Sequence, residues 1–290
     1  MNHMKLVFFI LILAVILQFL ELRQFRITTY QISSKKLKQP CEILFLSDLH
    51  GKTFHGRLIR RLQSMSPDYI LVGGDVVSKK NPTEMDYMPE FLQQLIKIAP
   101  VFYGFGNHET TIDELLSQEM PTYGSMWEEY LAKVQAAGIS VVRNDEIQLR
   151  EDLSLLFLEL PRSFYRKFQT ADATPEDIRS LVPDYAHDPG KFQILLAHNP
   201  TFADQYLCLA PDLILSGHTH GGLVRFPIVG SLISTELTWN PKYDGGRYPL
   251  ASNDGEERTL IVSKGLGTHS YPIRILDRAE AVRIILQPEK

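Results

Sequence analysis

The stretch that most limits how this chain can fold is Gly217-His218-Thr219-His220-Gly221-Gly222, which follows the apolar run Leu213-Ile214-Leu215. A short apolar run without polar alternation reads as a buried strand. Two histidines one residue apart, on a turn leaving that strand, both emerge at its carboxyl end. The flanking glycines let the backbone come close to a bound ion or phosphate. Alone, the motif also fits a histidine-bearing surface turn. Further turns of the same build stand upstream: Asp48-Leu49-His50, Gly74-Asp75, Gly106-Asn107-His108-Glu109 and His198-Asn199-Pro200, each after its own apolar run. The rest of the chain then reads as scaffold for these turns.

The scaffold follows a regular alternation. Glu42–Leu46 is a first core strand and Tyr69–Val72 a second, with Leu58, Ile59, Leu62 and Met65 at helical spacing between them. A helix is expected from Thr83 to Ile98, weakened in its first half by Pro89 and stopped by Pro100. Val101–Gly104 is a third strand. Tyr123–Ala137 is a further helix, closed by Gly138, and Ile139–Val142 starts another strand. Strand–helix alternation is the signature of a parallel sheet with crossover helices. The later part is strand-rich: Leu153–Leu158, Phe192–Ala197, Leu213–Leu215, Leu223–Phe226, Thr259–Ser263, Ile273–Leu276 and Ala281–Leu286. Residues 161–190 are a polar loop or small cap with one helix near Thr174–Leu181. The expectation is an α/β domain of two facing sheets with helices outside.

The 290 residues, 44% hydrophobic and 22% charged, are ordinary globular composition. A net charge of −4 and a pI near 6.1 give no sign of nucleic-acid binding. Two cysteines, Cys41 and Cys208, exclude a disulfide framework and a Cys-x-x-Cys metal site. At the N-terminus, Leu6–Leu17 is unbroken apolar, shorter than the ~20 residues of a comfortable membrane span, and no small residues offer a cleavage site after it. The expectation is an uncleaved single-pass anchor over 1–22, a linker over 23–40 in which Ile27–Ile32 alternates weakly like an edge strand, and the body over 41–290. Arg23, Arg26, Lys35, Lys36 and Lys38 after the segment favour a cytoplasmic body. A signal anchor favours an extracytoplasmic one, which is the side expected here.

In open α/β sheets the ligand site lies outside the carboxyl ends of the strands. Asp48, His50, Asp75, Asn107, His108, His198, His218 and His220 all belong there by sequence. Carboxylate, imidazole and amide donors without thiolate suit Mn²⁺, Fe or Zn²⁺. The set exceeds the needs of one ion and suits two, about 4 Å apart.

The ordered series Asp-x-His, Gly-Asp, Gly-Asn-His-Glu, a histidine after a strand, and Gly-His-Thr-His resembles the calcineurin-like metallophosphoesterase superfamily over roughly residues 41–286. With its apolar N-terminus, the chain resembles the membrane-associated bacterial branch. The resemblance implies a four-layer α/β/β/α sandwich with an N-terminal hydrophobic anchor. It also implies hydrolysis of a phosphate mono- or diester, or of a lipid-linked pyrophosphate, by attack of a metal-bridged hydroxide. Residue by residue, it implies that Asp48, His50 and His220 hold one divalent ion, Asn107, His198 and His218 the other, and that Asp75 bridges. His108 is implied as general acid or charge stabiliser beside the phosphate. Phosphoprotein phosphatases of the superfamily continue Gly-Asp with an Asp-Arg-Gly segment. Here Val76-Val77-Ser78-Lys79-Lys80 follows, which leaves His108 without its orienting carboxylate and the phosphate without that arginine. Arg225, Arg247, Lys242 and Lys264 are the alternatives for the phosphate. His55 and His269 read as loop histidines, Glu109 as a helix-capping or supporting residue, Trp127 and Trp239 as packing, and Cys208 as a small buried hydrophobe.

Overall fold

The apolar runs of the sequence become the strands of two six-stranded sheets. The computed structural model describes residues 3–165, 173–222, 224–226, 230–233, 239, 241–252, 255–268 and 273–289. The first sheet contains β1 (Phe25–Ser34), β2 (Cys41–Leu46), β3 (Tyr69–Gly73), β4 (Val101–Gly104) and β5 (Ser140–Val141). The second contains β6 (Asp145–Arg150), β7 (Leu153–Leu158), β8 (Phe192–Ala197) and β9 (Leu213–Ser216). A hairpin, β10 (Val224–Phe226) and β11 (Gly230–Ile233), precedes β12 (Gly246–Ala251) and β13 (Glu257–Val262) of the second sheet. The last strand, β14 (Ala279–Pro288), returns to the first. The orders are β1-β14-β2-β3-β4-β5 and β12-β13-β9-β8-β7-β6. Strands β2 to β5 are parallel, as crossover helices require.

Alternation along β2 assigns its two faces. Ile43 and Phe45 point inward with Leu71, Val282 and Ile284, against Leu155, Phe157, Ile194, Leu196, Leu215 and Ile261 of the second sheet. Leu44 and Leu46 point outward onto Leu58 and Leu62 of the helix Arg57–Gln63, Leu92 and Leu95 of the helix Glu84–Ile96, and Trp127 and Val134 of the helix Pro121–Ala136. On the outer face of the second sheet, Leu156, Leu195, Ile214 and Leu260 meet Ile178 of the helix Pro175–Ser180 and Tyr206 of the helix Ala203–Tyr206. Each fully buried large apolar side chain contributes about 1.5–3 kcal/mol, so these three interfaces dominate stability. The fold is mixed α/β with two sheets.

Some elements differ from the sequence expectation. Pro89 does not interrupt the helix Glu84–Ile96; its ring is buried, as are Met85 and Met88, and packing offsets the missing amide. The backbone also stays helical from Asn107 to Glu119 through a π turn at Ile112–Leu116. Ile273–Leu276 is no strand: it has a single bridge residue, Ile275, whose carbonyl accepts from Arg225 N. The weakly alternating Ile27–Ile32 is an edge strand, as expected, within the longer ten-residue β1, parallel to β14.

The expected single-pass anchor, and with it an extracytoplasmic body and membrane attachment through the N-terminus, is corrected. Among the described residues no helix is long and apolar enough to cross a membrane. The first helix spans His3–Glu21. Gln18 Oε1 accepts from Arg274 N at 3.2 Å, and Glu21 Oε2 from Leu276 N at 3.0 Å, which ties the last turn to the loop before β14.

Candidate metal centre

The register of the sheets brings the five turns together. Leu46 pairs with Val72, Gly73 with Gly104, and Leu196 with Leu215, so β2, β3 and β4, and β8 and β9, end at matching levels. Asp48, His50, Asp75, His218 and His220 all have positive φ, between 41° and 70°. The left-handed region costs a residue other than glycine about 1–2 kcal/mol, and such strain persists only where the surroundings fix it. Here the loops after β2 and β3 zip together. Asp48 N donates to Gly74 O at 3.0 Å, His50 N to Asp75 O at 2.9 Å and Gly51 N to Val76 O at 3.0 Å. Glycine is required at two close approaches. A Cβ at Gly106 would lie 2.3 Å from Asp75 Oδ1, and one at Gly217 would lie 2.3 Å from Asp48 Oδ2.

Seen from their ligand atoms, the side chains form two groups that share one member. Asp48, His50, Asp75 and His220 have donor atoms within 4.8 Å of one another, and so do Asp75, His198 and His218. His220 Nε2 stands 3.3 Å from Asp48 Oδ1 and 3.3 Å from His50 Nε2. His50 Nε2 is 3.6 Å from Asp75 Oδ2. On the other side, His198 Nε2 is 3.3 Å from Asp75 Oδ2 and 3.8 Å from Asp48 Oδ1. Asn107 Oδ1 lies 2.9 Å from His218 Nδ1.

Two observations fit these groups to divalent ions. His198 Nδ1 lies 2.6 Å from the Gly73 carbonyl, which holds the proton on that nitrogen. Its Nε2 is then the nitrogen left for a cation, whether proton or metal, buried among the described residues without a hydrogen-bond partner and facing two carboxylates. That is how a metal-ligating histidine is oriented by its other nitrogen. The electrostatics agree. Burial alone would push the Asp75 carboxyl up, yet the imidazoles of His198, His108 and His50 hold it well below the usual range. Burial likewise opposes charge on His198, but Asp75 and Asp48 raise its imidazole to about 10. The carboxylate pair thus draws positive charge into a buried place, the task a cation performs in such a site.

Around the groups stand residues that position them. His108 is 5% exposed, and its ring meets that of His50 edge-on with centroids 4.7 Å apart. The missing orienting carboxylate is replaced by a backbone amide: Lys79 N donates to His108 Nδ1 at 3.0 Å. A ring nitrogen that accepts carries no proton, so the proton of the neutral ring sits on Nε2. Glu109 is fully buried and accepts from the amides of Asp75, Val76, Val77 and Gly106 and from Tyr103 Oη at 2.8 Å. It clamps the loop after β3 to the loop after β4. Burial, with help from Asp75, raises its carboxyl to about 7.

Sequence reasoning missed two side chains. Tyr165, at the end of a short turn Arg162–Tyr165, sets its ring edge-on to His218 at 5.3 Å. It lies in a polar segment without periodicity, so no local signal marked it. Arg274, 2% exposed, donates to the carbonyls of His220, Lys264, Gly265 and Gly267, pairs with Asp277, and so braces the last histidine turn from behind. The four basic residues suggested for phosphate have other partners: Arg225 pairs with Asp244, Lys242 with Asp204 and Lys264 with Asp277, and Arg247 donates to Thr259 Oγ1 and Gln31 O. Of the two loop histidines, His55 is exposed at the mouth of a cleft, and His269 lies outside the described residues. Trp127 is core, whereas Trp239 is 73% exposed and does not pack as expected. Cys208 is half-buried, its thiol 3.4 Å from Pro175 O.

Comparison with known proteins agrees with this geometry. The sequence model of the calcineurin-like phosphoesterase family matches residues 42–222, the span that carries all five turns. Phosphodiesterase YaeI of Escherichia coli (strain K12) is 27% identical over 85% of this chain and 82% of its own length. An uncharacterized metallophosphoesterase of Aquifex aeolicus (strain VF5) is 28% identical over 92% and 94%. UDP-2,3-diacylglucosamine pyrophosphatase LpxG of Chlamydia trachomatis is 24% identical over 78% and 77%. The chain belongs to the calcineurin-like phosphoesterase family.

Proposed function

We propose that this chain hydrolyses a phosphate diester or a pyrophosphate, lipid-linked ones included, at a centre of two divalent ions. The observation that carries the reading is Asp75, the one carboxylate common to both ligand groups. In it, Asp48, His50 and His220 would hold one ion, Asn107, His198 and His218 the other, and Asp75 would serve both. When bound, such ions supply Lewis-acid activation of water and of phosphoryl oxygens. The protein's own part is to fix the ligands and aim a donor. The left-handed turns and the Glu109 clamp leave the ligands little freedom to relax, which keeps the geometry in place before substrate arrives. Asn107 adds a neutral oxygen, which limits negative charge where a phosphate must approach.

His108 contributes the proton-bearing Nε2. With Nδ1 engaged by the Lys79 amide, the neutral ring offers one donor, directed away from the 76–80 loop. In this reading it donates a hydrogen bond to a phosphoryl oxygen and stabilises charge there.

Two relatives frame the substrate class by their names, one a phosphodiesterase and the other a pyrophosphatase of a diacylated sugar nucleotide. A screen of the Mn²⁺-loaded protein over nitrophenyl mono- and diesters and pyrophosphate diesters tests the reading. Turnover of diesters or pyrophosphates that is lost on chelation supports it. Bound metal with no turnover of any ester would leave a non-catalytic member of the family.

A further inference from the structure

Beside the first ligand group lies a cleft of about 360 Å³ walled by Arg23, Lys52, Phe54, His55 and Arg57. We infer that this cleft binds a second phosphoryl group of the substrate, so that the natural substrate carries two; the inference rests on the phosphoesterase reading above.

Topology places the cleft at the metal edge. Strand β1 runs parallel to β14 with Phe25 opposite Ala279, and β14 runs antiparallel to β2 with Val282 opposite Phe45. The start of β1, where Arg23 enters, therefore lies at the end of the sheet from which Asp48 and His50 leave. Lys52 is two residues beyond His50, in a turn closed by Lys52 N donating to Leu49 O at 2.8 Å. Arg57 Nη2 donates to the Arg23 carbonyl, which keeps these two residues, 34 apart in sequence, side by side.

The charge is one-sided. Among the described residues no carboxylate lines the cleft, and Arg23, Lys52 and Arg57 form no ion pair. Lys52 is half-buried and Arg23 and Arg57 are exposed, so three like charges stand together along the cleft and make a local positive field that favours an anion. The backbone adds a second sign. Phe54, His55 and Gly56 have successive φ values of 53°, 51° and 74°, a conformation that costs side-chain-bearing residues about 1–2 kcal/mol each. Phe54 is buried and meets Phe25 with centroids 4.9 Å apart, which locks the strained turn and presents Lys52 and Arg57 from one short loop. Guanidinium forks and an ammonium without acids are the donor set for a phosphate rather than for a sugar or an apolar chain.

The test compares two substrates of the Mn²⁺-loaded full chain. Bis(4-nitrophenyl) phosphate has one phosphorus, and ADP-ribose has a pyrophosphate. In Lys52→Gln and Arg57→Gln the ratio of kcat/KM for ADP-ribose to that for the nitrophenyl ester should fall about tenfold or more, the scale of one charged hydrogen bond. Arg57→Lys should restore part of it. An unchanged ratio, or wild-type turnover of the nitrophenyl ester without turnover of ADP-ribose, overturns the inference while the phosphoesterase reading stands. Metal-loaded wild type that cleaves neither overturns both. Sulfate that binds wild type and not Lys52→Gln, with the ratio unchanged, makes the cleft an anion site apart from the substrate and also overturns it.

Discussion

A backbone amide sets the orientation of His108, and that has consequences a substitution can read. His108→Ala should keep both ions and lower turnover by about 10²–10³-fold, the range for removal of one hydrogen-bond donor at a developing charge. His108→Gln separates hydrogen bonding from proton transfer, because the glutamine amide places an N–H near the position of Nε2 but cannot give it up. Most of the activity should return in Gln, with the leaving-group dependence of wild type, measured over a series of aryl phosphate esters. A Gln variant as slow as Ala, with the loss concentrated on poor leaving groups, would make His108 a general acid. Glu109 acts differently. Glu109→Ala strands the amides of Asp75, Val76, Val77 and Gly106, and urea unfolding should show a loss of about 3 kcal/mol or more, since each buried donor left unsatisfied costs about 1–3 kcal/mol.

At the scale of elements, the site depends on how near two turns approach. Gly106→Ala would drive a methyl against Asp75 Oδ1. The sheets do not depend on that turn, so far-ultraviolet circular dichroism should stay native while metal content, by elemental analysis, falls. The same scale explains what the sequence disclosed. β2, β3, β8 and β9 are buried on both faces, so their apolar runs stood out and each motif turn could be placed at a strand end. β6 was not legible, because Asp145–Arg150 is an exposed, charged edge strand. Nor was β12, whose Pro249 argues against any strand but an edge one. Contacts set by tertiary approach left no local trace. Tyr165 reaches His218 from a cap segment without periodicity, and the basic cleft joins residues 34 apart. Lys79 holds His108 through its backbone, which no side-chain pattern reveals.

Over the whole molecule, the proposed centre would couple metal and fold, because its residues converge from loops of both sheets. An ion that binds the native state and not the unfolded chain stabilises it by mass action, about 2.7 kcal/mol at a hundredfold excess over Kd. Mn²⁺ should therefore raise Tm by several degrees, and chelation should reverse the rise. The stoichiometry is the most direct test of the shared carboxylate. Elemental analysis of the dialysed, Mn²⁺-loaded protein should give about two ions per chain, and Asp75→Asn should lose both together while His108→Ala keeps both. About one ion in wild type, or one ion retained in Asp75→Asn as firmly as in wild type, would contradict a centre bridged by Asp75.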